Sequence, residues 1–222
     1  MSTTSLIDTT SLAIVFGGTS AATVLRCGWR ECVTTITEIG QLWGEPFDAE
    51  KARAELAVQV QEIRRDGILR ATPHVTGDAE FDEGTDAMIR TRSIGSLIAA
   101  HEKHKLRRGA MSGVAVRLFA QAAELAPVFG MVGTLVALSR LPGGVSGGSD
   151  FTGAIAMAVQ TTLYGLLAAN LAFAPVSRLI ERRARAEENQ RQRLVDWLAE
   201  QLADSCPSST VPASRAAHRE AA

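Results

Sequence analysis

Aromatic residues and cysteines are scarce in this sequence, and their scarcity narrows what the chain can be. Only 5% of its 222 residues are aromatic although 46% are hydrophobic, so aliphatic residues supply most of the apolar content. Its three cysteines are Cys27, Cys32 and Cys206. They form no disulfide framework, and Cys27 and Cys32 lack the partners that a zinc site needs. We interpret them as small packing residues in a reducing compartment.

Chemical motifs are lacking as well. The sequence shows no nucleophile–base pair, metal constellation or phosphate-binding loop, so we expect neither an enzyme nor a metal or cofactor site. The N-terminus has no basic region or cleavage site of a secretory signal, which favours uncleaved insertion of the first apolar run. His101 and His104 lie among charged residues without further metal ligands, and we interpret them as part of a solvated helix face.

Charge is segregated along the chain. The formal net charge is −1, yet charged residues are dense in 45–117 and 178–200 and absent from 9–25, 125–139 and 151–177. A helix needs about 20 apolar residues to cross a bilayer core of roughly 30 Å, and these three runs approach or exceed that length. We predict an all-α integral membrane protein with three transmembrane helices and a helical cytoplasmic domain.

Turn signals divide the chain further. Asp48 is a candidate N-cap for a helix over 49–67, Thr72–Asp78 contains a Pro and a Gly that predict a break, and the Gly/Ser-rich stretch 141–150 predicts a loop between two spans. The predicted segments are a transmembrane helix at 1–26, a cytoplasmic helical region at 27–117, a two-helix transmembrane region at 118–178 with a periplasmic loop at 141–150, a cytoplasmic helix at 179–204 and a disordered tail at 205–222.

Basic residues predict the orientation. They cluster after the first span, before the second and after the third, whereas Arg140 alone lies beside the short loop. The positive-inside rule therefore places the N-terminus and 141–150 outside, and 27–117 and the C-terminus in the cytoplasm, as a multi-pass membrane protein. The clusters are Arg26 and Arg30; Arg107, Arg108 and Arg117; and Arg178, Arg182, Arg183 and Arg185.

Small residues recur at four-residue spacing within the spans. Gly17 and Ala21 form one pair, Gly18 and Ala22 form another, and Gly130 lies in the second span. This spacing lets membrane helices approach backbone to backbone. We predict that these residues pack against neighbouring chains in a homo-oligomer.

The apolar cores hold no Asp, Glu, Lys, Arg or His. A proton path normally needs an ionisable relay, so its titrating group would come from a partner or from Glu124 at the rim of the second span. Pro127, Gly130 and Thr134 occupy positions i, i+3 and i+7, which is one stripe of a helix.

Hydroxyl groups are the other polar feature of the spans. Thr134 lies in the second span, and Thr161 and Thr162 lie in the third. Physical reasoning leaves open whether they line a path or bond to carbonyls of their own helix. It also leaves open whether Pro127 and Pro175 do more than kink or end helices.

Four segments carry a family resemblance. Residues 125–136 (LAPVFGMVGTLV) and 161–170 (TTLYGLLAAN), with Pro175 beyond, resemble the last two transmembrane helices of the MotA/TolQ/ExbB proton channel superfamily. Residues 14–22 (IVFGGTSAA) resemble the helix before them, and Arg64–Leu69 is similar to the family's cytoplasmic stretch after that helix. The GGT and TTLYG motifs favour the MotA branch.

This resemblance implies a channel-forming subunit of a flagellar motor stator in the inner membrane of a bacterium, which couples proton or sodium flow to torque. In the family, five such chains surround two single-span partner helices, each bearing an aspartate that takes up and releases the ion. Pro127 and Pro175 match the family's channel-shaping prolines, and Thr134 and Thr162 match path-lining positions, with Thr161 beside them. The partner implied here is a MotB-like subunit.

Two alternatives stay open: an ExbB/TolQ-type energiser that couples proton motive force to outer-membrane processes, and a non-conducting membrane scaffold. MotA members normally have one more span before the GGT helix, so a preceding span is a further open question. Contact with the flagellar rotor is open too, because Arg70-Ala71-Thr72 stands where the family's cytoplasmic stretch is acidic.

Overall fold

The computed structural model describes residues 8–42, 47–68, 70, 75–140 and 148–203, and these ranges hold helices and turns with no β-strand among them. The all-α prediction is confirmed. The predicted tail at 205–222 and most of the predicted loop at 141–150 lie outside the described residues. The helices are α1 (Thr9–Leu12), α2 (Gly18–Cys27), α3 (Trp29–Leu42), α4 (Ala49–Asp66), α5 (Ala79–Thr91), α6 (Ile94–Ser139), α7 (Gly148–Leu167) and α8 (Ala174–Leu202), with π-helical turns at Ala13–Gly17 and Ala168–Phe173.

Three helical stretches have the length and composition of membrane spans: Thr9–Cys27, Ile94–Ser139 and Phe151–Leu202. Each contains one of the charge-free runs, so the prediction of three transmembrane helices is confirmed. The helix α6 has 46 residues. Because it is about 69 Å long at 1.5 Å per residue, only part of it fits a hydrocarbon core of roughly 30 Å. Its charged portion, 94–117, therefore lies outside the membrane-spanning segment.

Side-chain caps explain where the polar helices begin. The Asp48 carboxylate accepts hydrogen bonds from the backbone N–H groups of Glu50 and Lys51 at 3.1 and 3.0 Å, as its predicted capping role requires. The Asp78 carboxylate accepts one from the N–H of Glu80 at 3.0 Å and starts α5 in the same way. Such caps satisfy N–H groups that have no partner within the helix.

The chain divides into two compact units. One comprises residues 1–44 and 110–183, and the other comprises 45–109 and 184–222. The first contains the apolar runs, and the second contains α4, α5 and the charged parts of α6 and α8. The finer segment limits drawn from the sequence stay predictions.

The second unit has its own hydrophobic core. The predicted apolar face of α4 forms part of it, since Leu56, Val60 and Ile63 are at most 4% exposed. Gln59, 2% exposed, is enclosed with them, and neither of its amide atoms has a hydrogen-bond partner among the described residues. Residues from the other helices complete this core: Phe81 and Met88 of α5, Ile94 and Leu97 of α6, and Leu194, Val195, Leu198 and Leu202 of α8.

A buried ionic cluster also joins the helices of this unit, and it corrects the interpretation of His101. The side chain of His101 is 1% exposed, not solvated. It follows buried Leu97 by four residues, and so lies on the buried face of α6. The charged neighbours in sequence concealed this face, because they occupy the other sides of the helix.

Glu80 is the centre of the cluster. Its carboxylate is hydrogen-bonded to Nδ1 of His101 and to a guanidinium nitrogen of Arg108. Nη1 of Arg191 lies 2.9 Å from the same carboxylate, and the guanidinium of Arg191 stacks 4.0 Å from the ring centroid of Phe47. Burial alone would raise the pKa of Glu80, but hydrogen bonds from His101 and Arg108 outweigh it and lower that pKa to about 2.

The hydrogen-bond partners of His101 define its protonation. Nε2 of Gln192 donates to Asp196 at 2.9 Å, which orients the amide oxygen of Gln192 towards Nε2 of His101 at 3.0 Å. Nδ1 faces Glu80, so both ring nitrogens face acceptors and both must carry hydrogen. The hydrogen bond to Glu80 raises the pKa of His101 although burial opposes it. His101 is therefore an imidazolium that links α6 to α5 and α8.

Candidate ion pathway

The site begins with a close contact between α6 and α7 that only glycine permits. A Cβ added to Gly165 would lie 2.6 Å from the carbonyl oxygen of Ala126 and 3.1 Å from the Cα of Gly130. A Cβ added to Gly130 would lie 3.0 Å from the carbonyl oxygen of Thr161. These distances are shorter than ordinary van der Waals contact, so the two backbones meet directly.

Thr161 belongs to the same contact. Its side chain is fully buried, and a Cβ added to Gly133 would lie 2.6 Å from it. The hydroxyl donates to the carbonyl oxygens of Met157 and Ala158 at 3.0 Å each. Within this chain, Thr161 fills the space that Gly133 leaves between the two helices.

Thr134 and Thr162 lie one residue beyond this contact on either helix, and both are partly exposed. The Thr134 hydroxyl donates to the carbonyl oxygen of Met131 at 2.6 Å, and the Thr162 hydroxyl donates to that of Ala158 at 3.2 Å. Back-bonding to the helix, one of the two sequence interpretations, therefore occurs at each threonine. A hydroxyl that donates this hydrogen bond still has lone pairs on its oxygen, and these can accept a hydrogen bond from water or contact a cation.

Ionisable groups stay at the rim of this pathway. Glu124 is the acid nearest to the charge-free part of α6, and its side chain is 73% exposed. Arg26 approaches it at 3.9 Å and is itself 55% exposed, so this is a loose, solvated pair. The charge-free runs thus offer hydroxyl and backbone oxygens to an ion, but no Asp, Glu, Lys, Arg or His.

Sequence reasoning did not single out Gly133 and Gly165, which shape the contact. A usable signal exists, since Thr161 and Gly165 are four apart and Gly130 and Gly133 are three apart. Small residues at these spacings line one face of each helix.

Comparison with known protein families identifies the family of this chain. The profile of the MotA/TolQ/ExbB proton channel family matches residues 76–193. The chain belongs to this family. That match covers α5, α6, α7 and most of α8, and so includes both helices of the glycine contact.

Several known proteins resemble the chain. Motility protein A of Cereibacter sphaeroides is 29% identical over 68% of this chain and 60% of that protein. Motility protein A of Borreliella burgdorferi is 40% identical over 45% of this chain and 36% of that protein. The chain therefore spans less than two thirds of either relative. The flagellar MotAB stator complex from Bacillus subtilis has the same fold, with a TM-score of 0.80, 18% identity and coverage of 99% of this chain and 90% of that one.

The two prolines that match the family's motifs differ in setting. Pro127 is partly buried inside α6, where it removes one backbone hydrogen bond. Pro175 is exposed and follows the π turn Ala168–Phe173. A π turn holds about one extra residue, which turns Pro175 by roughly 100° about the helix relative to a straight α-helix. On this count Pro175 and Thr162 still lie on different sides of the helix, about 120° apart.

The small residues of the first span divide into two groups. A Cβ added to Gly18 would overlap the ring of Phe129, at 2.6 Å from its Cε1 atom, so Gly18 packs within its own chain. Gly130 does the same against α7. Gly17 has no neighbour within 4 Å of such an added Cβ, and Ala21 is exposed. The expectation of contact with neighbouring chains therefore passes to Gly17 and Ala21, with Ala22 partly covered.

Proposed function

We propose that the chain is the channel-forming subunit of a flagellar motor stator, and that it couples proton or sodium flow to torque with a single-span partner bearing a membrane aspartate. The observation that carries this proposal is the α6–α7 contact: two hydroxyls beside a glycine-packed helix pair, in spans that hold no Asp, Glu, Lys, Arg or His. An ion crossing such spans needs an acid from elsewhere. The names of the relatives and of the structural neighbour, motility protein A and MotAB stator complex, support the same assignment.

In this proposal Thr134 and Thr162 line the path, and Thr161 supports it by packing against Gly133. Pro127 and Pro175 shape the cytoplasmic ends of the two helices. The hydroxyls solvate the ion without carrying charge, which avoids the several kcal/mol that a charged side chain costs in the bilayer. The N-terminus and 141–150 face the periplasm, and the second unit and the C-terminus face the cytoplasm.

The test is ion flux in proteoliposomes that contain the chain and its single-span partner. Thr162→Ala should lower the flux strongly, whereas Thr162→Ser should retain much of it because the hydroxyl survives. Ser139→Ala is the matched control, since the Ser139 hydroxyl is also bonded to its own helix, at 2.8 Å from the carbonyl oxygen of Val136, but lies at the end of α6. Equal flux in Thr162→Ala and Thr162→Ser would show that Thr162 contributes only packing and does not line the ion path.

The partner distinguishes the alternatives. Flux that appears only with a partner carrying a membrane Asp supports the channel, and loss of flux when that Asp is replaced by Asn places the titrating group there. If no Asp-bearing partner yields flux, the chain is a non-conducting scaffold. If flux requires a short periplasmic partner without a cell-wall-binding domain, the energiser function replaces the stator function.

Assembly is the remaining part of the proposal. From the family resemblance we propose a homopentamer around two partner helices, with Gly17 and Ala21 at contacts between chains. Gly17→Leu should lower the oligomeric state seen by native mass spectrometry while the chain still inserts and folds. Gly18→Leu should instead destabilise the single chain, because Phe129 occupies that space. An unchanged oligomer in Gly17→Leu would remove Gly17 from the interface.

A further inference from the structure

Apolar side chains lie uncovered where the first span ends. Leu25 is 86% exposed, Trp29 is 71% exposed and Val33 is 44% exposed. Trp29 and Val33 are four residues apart and share one face of α3. On another face Thr35 is only 2% exposed, so α3 packs against its own chain on that side, whereas Trp29 and Val33 are exposed.

A single residue, Gly28, separates Trp29 and Val33 from the span that contains Leu25. Gly28 has φ +90° and ψ 146°, a conformation that ends α2 and that residues with a side chain rarely adopt. Trp29 follows at once as the first residue of α3. Trp29 thus lies two residues beyond Cys27, the last residue of the candidate membrane span.

We propose that Leu25, Trp29 and Val33 form a lipid-facing surface that inserts into the interfacial layer of the bilayer, between headgroups and acyl chains. The surface continues directly from a membrane span, so lipid is the phase already beside it. Tryptophan is enriched at this depth because its ring is apolar and its N–H still reaches a polar partner. A helix lying in this layer buries its apolar face about 5–10 Å below the surface.

The charges beside the surface fit the same partner. Arg26 and Arg30 flank the break at Gly28, and both residues are exposed. Basic residues next to a span attract anionic headgroups. The ion pair of Arg26 with Glu124 is long, at 3.9 Å, and exposed, so it does not hold the guanidinium away from lipid. The surface therefore combines an interfacial aromatic residue, aliphatic neighbours and cations at the level of the headgroups.

Tryptophan fluorescence in the full-length chain tests this proposal directly. The chain has three tryptophans, so W43F/W197F leaves Trp29 as the reporter and W29F/W43F leaves Trp197 of α8 as the matched control. Each variant is placed in nanodiscs whose lipids are brominated either near the headgroup end of the acyl chains or near their termini. Aqueous iodide is the competing quencher, and the circular dichroism spectrum checks that each variant keeps the helical content of the parent.

The expected result is that Trp29 is quenched by bromine near the headgroups, less by bromine at the chain ends and little by iodide. Trp197 should not respond to either brominated lipid, since it lies in the charged part of α8. Adding anionic lipid should strengthen the quenching of Trp29, and R26Q/R30Q should abolish that dependence. Quenching of Trp29 by iodide alone would show a water-exposed surface, and quenching by neither agent would show that protein covers it; either outcome overturns the proposal. This readout requires no ion flux, so it is independent of the stator assignment.

Discussion

Replacing His101 with Asn should remove a pH dependence from the stability of the second unit. The imidazolium of His101 is buried between Glu80 and Gln192, so its charge is stabilised only in the folded chain. The hydrogen bond to Glu80 raises the pKa of His101 in the folded state. Because the folded-state pKa is the higher one, this stabilisation is complete below the unfolded value, about 6.5, and is lost as pH rises through the folded value.

The size of the effect follows from the contacts that remain. An Asn can still donate one neutral hydrogen bond, and Glu80 keeps Arg108 and Arg191, so the carboxylate is not left alone in the core. The loss is then that of one hydrogen bond between charged groups, about 1.5–3 kcal/mol in the free energy of unfolding. The Glu80 carboxylate acts in a different window, since its contribution disappears only as pH falls from its ordinary value, 4.5, towards about 2.

The assay is thermal unfolding of the purified W29F/W43F chain, in which Trp197 is the remaining tryptophan, followed by fluorescence from mildly acidic to alkaline pH. The parent should lose stability as pH rises above about 6.5, and His101→Asn should start lower and show a flatter profile. His104→Asn is the matched control, because His104 contacts Glu83, which is 45% exposed, and exposed pairs contribute about 0–1 kcal/mol. A parent-like slope in His101→Asn would show that the imidazolium is not the group that titrates.

Two further substitutions should act through packing. Gln59→Met should raise the free energy of unfolding by about 1–3 kcal/mol, since it removes a buried amide without partners at nearly constant volume; exposed Gln61→Met should leave it nearly unchanged, and equal effects in a denaturant titration would refute the argument. Gly165→Ala should lower the thermal midpoint of the membrane unit, because the new Cβ would lie 2.6 Å from a backbone oxygen of α6. Gly153→Ala, with nothing within 4 Å of the added Cβ, should be neutral or stabilising because Ala is the better helix former, so an equal loss of stability there would refute the contact argument.

Composition was enough to predict the spans, because a bilayer imposes a single strong rule on charge and length. The apolar faces of α4 and the end of α8 were also predictable, since the helical spacing of Leu56, Val60 and Ile63 is typical of a helix with one buried face. The sequence did not reveal that α6 is one helix from Ile94 to Ser139. A change from polar to apolar residues indicates a change of surroundings, and the backbone needs no break there.

Other features depend on contacts between distant residues. The burial of His101 needs Glu80 and Gln192 from two other helices, and no local pattern identifies them. The π turns leave no signature in the one-dimensional pattern either. Spacing selected Gly18 and Gly130 as packing residues, but it could not distinguish a contact within the chain, which both residues make, from one between chains.

The glycine contact between α6 and α7 has a consequence for how the chain matures. Gly130 and Gly165 are separated by a short stretch of sequence, whereas Gly18 and Phe129 are more than a hundred residues apart. Contacts near in sequence close with a smaller loss of chain entropy and form sooner. We therefore expect α6 and α7 to pair as a helical hairpin during synthesis. The first span, which is inserted earlier, should pack against α6 only after Phe129 has been synthesised. Slow synthesis between the first span and α6 should then not impair folding, whereas a substitution at Gly165 should make the newly synthesised chain susceptible to membrane proteases.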